Sequence, residues 1–259
     1  MQLNFQATGD GPALIILHGF LGSLDNWRTA GQRLGTRFRV ITLDLRNHGH
    51  SPHDPVMNYP AMAEDIHEFL DQQNIASAHF LGHSMGGKVA MQFATTRPQS
   101  VEKLIVVDIA PKSYPASHQS TLATLRNLDL RSFKSFGEID AALAPHIASA
   151  DSRQFLMKNL SREQNTGFSW RIDLEAISRN YVELTKSIVP KHTLAKPVCF
   201  IRGGRSDYLE DEDLPHIKRI FPQATLVTIA HAGHWVHVDN AEQFFKAVTE
   251  FLGPIQARA

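Results

Sequence analysis

The sequence predicts an α/β fold: a mostly parallel sheet with helices on both faces and a helical insertion in the second half of the chain. Three observations carry this expectation. Short, nearly continuous apolar runs alternate with amphipathic segments at helical spacing. Runs apolar on both sides belong to strands covered on both faces, as in a parallel sheet. Between about residues 111 and 194 the alternation lapses, and helix follows helix.

The elements follow in order. The first strong strand is Ala13–Leu17, stopping at His18-Gly19. The next runs are 38–43 (FRVITL), ending at Asp44, and 78–81, ending at Gly82. Residues 104–107 end at Asp108, 198–201 lead into Gly203-Gly204, and 226–230 precede His234. Helical patterns lie between them: Met62, Ile66, Phe69 and Leu70; Val89, Met91, Phe93 and Ala94; Phe244, Phe245, Val248 and Phe251. Residues 1–110 and 195–259 are therefore expected to form the core. Residues 111–194 are expected to form a helical cap over the strand ends, with helices near 119–128 and 137–147 and no strand. The tail GPIQARA is expected to be loose.

A chain of 259 residues suits one α/β domain with an insertion. Lys plus Arg and Asp plus Glu number 26 each, so the basic excess of a nucleic-acid binder is lacking. Cys199 is the sole cysteine and sits in an apolar run, which fits a buried core residue and excludes an internal disulfide. No apolar run approaches the ~20 residues of a membrane span. The N-terminal stretch has no basic segment leading into a long apolar core, so no signal peptide is expected. These features predict a cytoplasmic protein, a monomer or weak homodimer, acting on a small molecule.

The chemistry concentrates at strand ends, where open parallel sheets bind ligands. Gly82-His83-Ser84-Met85-Gly86 follows a strand and opens a helix, which is the context of a nucleophile elbow. A serine there stands on a strained turn, and the flanking glycines remove side chains that would collide. A serine hydroxyl needs a base. His234, after Gly233 and the last strand, is the choice; its neighbours His231 and His237 read as ordinary surface or core residues. The acid is Asp108 or Asp207. A carboxylate closing an apolar strand is costly to bury without a partner, which favours Asp108, while Asp207 also fits a solvated turn ahead of Glu210 to Asp213. The amides of Phe20, in HGFLGS, and of Met85 would form an oxyanion hole. The stretch LDLRNHGHSPHD reads either as part of the site or as a charged loop anchored by an Arg46–Asp contact. Its histidines His48, His50 and His53 lack other ligands at metal-site spacing, so no metal is expected.

Together, HGFLGSLDNW, DLRNHGHS, GHSMGG, VVDIAP and AGHWVH resemble the α/β-hydrolase family, and RNHG with GHSMGG resembles its branch of small bacterial esterases and thioesterases. The resemblance spans the core and carries little of residues 111–194. It implies a Ser-His-Asp triad and hydrolysis of carboxylic esters or thioesters, including those of coenzyme A, without metal or organic cofactor. Many family members place the acid in the turn where GGRSDYL stands. In the branch resembled here that slot commonly lacks a carboxylate, which again favours Asp108. The core also admits a serine-dependent carbon–carbon hydrolase, a cofactor-free haloperoxidase-like enzyme, or a non-catalytic binding module. Cap residues Phe133, Phe136, Phe155, Leu156, Met157, Phe168 and Trp170 are either acyl-site lining or the cap's own core. Arg153, Lys158 and Arg171 are either contacts for an anionic leaving group or a solvated face.

Overall fold

The computed structural model of the protein describes residues 1–163 and 167–253. The expectation for the tail from 254 onward lies outside them. The chain runs β1 (Phe5–Thr8), β2 (Ala13–Leu17), α1 (Arg28–Leu34), β3 (Arg39–Leu43), α2 (Tyr59–Gln72), β4 (Ala78–His83), α3 (Met85–Thr96) and β5 (Val101–Val107). It then forms α4 (Gln119–Arg126), α5 (Phe136–Leu143), α6 (Ala150–Met157), β6 (Leu160–Glu163), β7 (Gly167–Trp170) and α7 (Leu174–Thr185). The last elements are β8 (Val198–Gly203), α8 (Leu214–Ile220), β9 (Ala224–Ile229), α9 (Val236–Asp239) and α10 (Ala241–Leu252).

Seven strands form one sheet in the order β1-β3-β2-β4-β5-β8-β9. All neighbours pair in parallel except β1, which runs antiparallel to β3. The apolar strands alternate between two buried layers, as the twofold period of a strand requires. Ile15, Leu17, Phe80, Leu104, Val106 and Phe200 face α2 and α3. Leu14, Ile16, Leu81, Ile105, Val107 and Cys199 face α1 and α10. Residues of the segment between β5 and β8, among them Leu125, Ile139, Leu156 and Ile177, join the first of these layers.

Two features depart from the sequence expectation. The inserted segment is not wholly helical: β6 and β7 form a small antiparallel hairpin with Leu160 opposite Trp170 and Arg162 opposite Phe168. Four-residue strands of mixed polarity, with no long apolar run, leave little periodicity to read. The edge strand β1 is exposed along its whole length. Its pairing comes from β3 and not from an apolar face, so its sequence carries no burial pattern.

Among the described residues, no helix is long and apolar enough to cross a membrane.

Candidate active site

The order of strands brings four chain segments to one edge of the sheet. β4 and β5 are neighbours, β5 lies beside β8, and β8 pairs with β9. Their carboxyl ends carry Ser84, Asp108, the Gly203–Tyr208 turn and the loop holding His234.

Ser84 sits between β4 and α3 with φ 53° and ψ −119°, a conformation that L side chains rarely adopt. Its amide donates to Val107 O at 3.0 Å, which fixes the turn to the next strand. The glycines around it are required by close approach. A Cβ on Gly82 would stand 2.3 Å from Gly86 O, and one on Gly86 would stand 2.4 Å from Leu17 O. The first amides of α3, Met85 included, have no acceptor within the helix and carry its positive dipole end. The Gly19-Phe20 turn lies against the same point, since a Cβ on Gly19 would stand 3.3 Å from Ser84 Cβ.

A hydrogen-bond chain leads away from the serine. Ser84 Oγ is 3.0 Å from His234 Nε2, and His234 Nδ1 is 2.7 Å from Asp108 Oδ2. A carboxylate can only accept, so Nδ1 carries the proton and Nε2 is left to accept from the serine. Asp108 is sealed from solvent at 0% exposure, while the His234 side chain is 27% exposed. The carboxylate is satisfied on several sides. The Gly203 amide donates to Asp108 Oδ1 at 2.9 Å, and the Ser206 hydroxyl donates to Oδ2. Asp108 itself has φ 52°, held by its own amide donating to Ile201 O at 2.8 Å. Among the described residues, Asp108 is the carboxylate hydrogen-bonded to His234. Asp207 lines a cavity beside the site.

Two further residues hold His234, and residue-by-residue reading passed over both. His83 Nε2–H donates to the His234 carbonyl at 2.9 Å. Burial, with lesser repulsion from His234 and His237, pushes the His83 pKa well below the ordinary histidine value, so its ring stays neutral. Tyr208 stacks on the His234 ring at 4.0 Å between centroids. His83 lies inside GHSMGG and was visible as part of the motif. Tyr208 had no sequence signal beyond its place after Asp207. The rival histidines do not bond Ser84 or Asp108 among the described residues: His237 is stacked on Trp27 at 4.2 Å and His231 is exposed.

The loop after β3 is an anchor. Arg46 grips Asp65 of α2 through Nε at 2.6 Å and Nη2 at 2.8 Å. Asp44 accepts from the Leu24 and His50 amides at 2.8 and 2.9 Å, tying this loop to the one that carries Phe20. His18 is fixed as the Nδ1–H tautomer: Leu45 N–H donates to its Nε2 at 3.0 Å, and its Nδ1–H donates to Gly19 O at 2.8 Å. From the inserted segment, Asn159 Nδ2 donates to Leu21 O at 2.7 Å, steadying the same loop from above.

Two cavities meet at Ser84. One, of about 610 Å³, runs along α3 past Lys88, Tyr59, Tyr114 and Tyr181. The other, of about 690 Å³, contains His234 and is lined by Trp27, Phe155, Leu156, Trp235 and His237. Of the inserted Phe and Trp residues named from the sequence, Phe155 reaches a cavity, whereas Phe136 packs edge-on against Phe168 at 4.8 Å. Of its cations, Lys158 lines the second cavity, while Arg153 is bound to Asp140 at 2.8 Å and Arg171 donates to Leu160 O at 3.0 Å.

The family profile described as the alpha/beta hydrolase fold matches residues 12–241, most of the chain. The chain belongs to the α/β-hydrolase fold family. It is similar to the protein named sn-1-specific diacylglycerol lipase ABHD11 of Xenopus laevis, 39% identical over 93% of this chain and 80% of that one. It is also similar to the Escherichia coli protein named Esterase YbfF, 33% identical over 97% of this chain and 99% of the relative. A solved structure described as a marine microorganism esterase superposes with a TM-score of 0.94 at 41% identity, covering 96% and 99% of the two chains. The α/β-hydrolase is thus of the esterase/lipase type, as the motif resemblance implied.

Proposed function

We propose that this α/β-hydrolase cleaves carboxylic esters through an acyl-serine intermediate, with Ser84, His234 and Asp108 as its catalytic triad. The observation that carries the proposal is the continuous chain from Ser84 Oγ through the His234 ring to Asp108, at 3.0 and 2.7 Å. His234 accepts the serine proton as Oγ attacks the ester carbonyl carbon. The amides of Phe20 and Met85 receive the developing oxyanion, a contribution of ~3 kcal/mol per donor. His234 Nε2 then returns the proton to the leaving oxygen, and the alcohol departs. Water, deprotonated by the same nitrogen, hydrolyses the acyl-serine to the acid. Asp108 holds the imidazole orientation and stabilises its cation throughout.

His234 lines the larger cavity and not the smaller. The group that receives its proton therefore sits in the larger one, and the acyl chain occupies the cavity along α3. Relatives named esterase and lipase support ester cleavage over carbon–carbon or haloperoxidase chemistry. Lys158 at the leaving-group cavity supports acyl-coenzyme A thioesters as a second substrate class. The test is turnover of p-nitrophenyl esters and acyl-coenzyme A thioesters with labelling by a fluorophosphonate. Ser84→Ala is expected to abolish turnover and labelling together. Wild-type turnover and labelling by that variant would remove Ser84 as nucleophile.

A further inference from the structure

Lys88 has no part in the chemistry above, yet it is among the largest fully buried side chains of the protein. It lies one helical turn after Ser84 on α3, and its side chain lines the acyl cavity. Side chains four apart on a helix share a face, ~6 Å apart. The ammonium donates to Lys186 O at 2.7 Å and rests 4.7 Å from the Tyr114 ring and 5.3 Å from the Tyr59 ring. Among the described residues no carboxylate pairs with it. A buried cation without a counter-charge is costly, and burial pulls the Lys88 pKa down to about 7.

Most of the neighbouring donors and charges are already engaged. Tyr114 OH donates to Tyr208 O and Tyr59 OH donates to Leu184 O. Lys112, which also lines the cavity, is paired with Asp213 at 2.8 Å. Tyr181 OH accepts the His118 amide at 2.8 Å and keeps its own proton to donate. Asp207 also lines this cavity, and among the described residues it forms no ion pair with Lys88. Of its three ammonium protons, Lys88 gives one to a carbonyl. What remains is an amine without a carboxylate partner on the α3 wall of the acyl cavity, among tyrosine rings.

We propose that Lys88 is a specificity-determining residue that receives an anionic chain end, so that the preferred substrates are hemi-esters of short dicarboxylic acids. This rests on the assignment of Ser84 as nucleophile and of the α3 cavity to the acyl group. The far carboxylate of the acyl chain accepts from Lys88 Nζ, supplies the missing counter-charge and takes no part in bond making. The reaction remains ester hydrolysis, releasing the dicarboxylic acid and the alcohol.

The experiment compares 4-methylumbelliferyl hemi-glutarate with 4-methylumbelliferyl valerate, which share chain length and leaving group. Wild-type kcat/KM is expected to favour the hemi-ester by about tenfold or more, the usual worth of a charge-assisted hydrogen bond. The ratio is expected to fall at least about tenfold in Lys88→Met, which keeps the length and loses the charge. In a second arm that needs no variant, free glutarate should inhibit wild-type valerate-ester hydrolysis more tightly than free valerate does. Equal or better turnover of the neutral ester by wild type, or equal loss of both substrates in Lys88→Met, overturns the proposal. So does inhibition by valerate as tight as by glutarate. Ser84→Ala separates the two levels. Ser84-dependent turnover without charge preference removes the role of Lys88 alone. Turnover that survives Ser84→Ala removes the reading beneath it.

Discussion

The hydroxyl of Ser206 reaches the same oxygen of Asp108 that faces His234, from the turn where many family members would supply the acid itself. The side chain at that slot thus supports the carboxylate from the neighbouring strand. Removing it leaves one acceptor site of a buried anion unfilled, a loss of about 1.5–3 kcal/mol for a bond to a charged group. Ser206→Ala is therefore expected to lower kcat/KM by roughly tenfold or more, measured by steady-state ester hydrolysis, with labelling of Ser84 slowed in parallel. Asp108→Asn should cost on the order of 10³–10⁴ in kcat, because an amide nitrogen facing Nδ1 disfavours the required tautomer. Asp207→Asn should stay within a few-fold of wild type. The reverse order in the same assay would move the acid to Asp207. Reading residues in line favoured Asp108 but kept Asp207 as an alternative, since each ends or follows a strand. The choice depends on β5 lying between β4 and β8, a fact of strand order that no local spacing contains.

At the level of elements, the turn between β4 and α3 was legible because its demands are local: a strand, a serine between glycines, a helix. For the RNHG stretch the sequence offered an Arg46–Asp anchor as one of two readings but not its partner, because Asp65 lies nineteen positions away in α2. Arg46 and Asp65 are both buried, with side chains 9% and 4% exposed. Removing one partner strands the other charge in a dry site, at a cost of about 3–5 kcal/mol. Arg46→Met is thus expected to lower stability by that amount in urea denaturation. Arg46→Met with Asp65→Leu should lose less than the single variant, because no unpaired charge remains. A double variant as unstable as the sum of its singles would show that the pair acts independently. The β6–β7 hairpin escaped sequence reading for the opposite reason, since four-residue strands leave a period too short to see.

For the whole molecule, the fold class was written in the apolar runs, while the buried histidines were invisible as a group until their surroundings were known. Burial pushes His48 and His237 down to about 3 and lowers His18 and His83 as well. In the unfolded chain each would take up a proton near pH 6.5. Below that pH the unfolded state binds more protons, so stability is present above about 6.5 and is lost as pH falls toward 3. Each such histidine steepens the loss by up to about 1.4 kcal/mol per pH unit. Thermal midpoints are expected to fall steeply between pH 6.5 and 4.5, and His237→Phe, which preserves stacking on Trp27, should flatten that slope. An unchanged slope would place the acid lability elsewhere. The distance in sequence between Ser84 and His234, 150 positions, also has a temporal consequence. During synthesis β4, α3 and β5 emerge long before the loop after β9. A nascent chain therefore carries its serine turn before His234, the base of the proposed mechanism, has been made. Under the proposed mechanism, reactivity toward fluorophosphonates is expected as a late marker of maturation, acquired when the last strand docks.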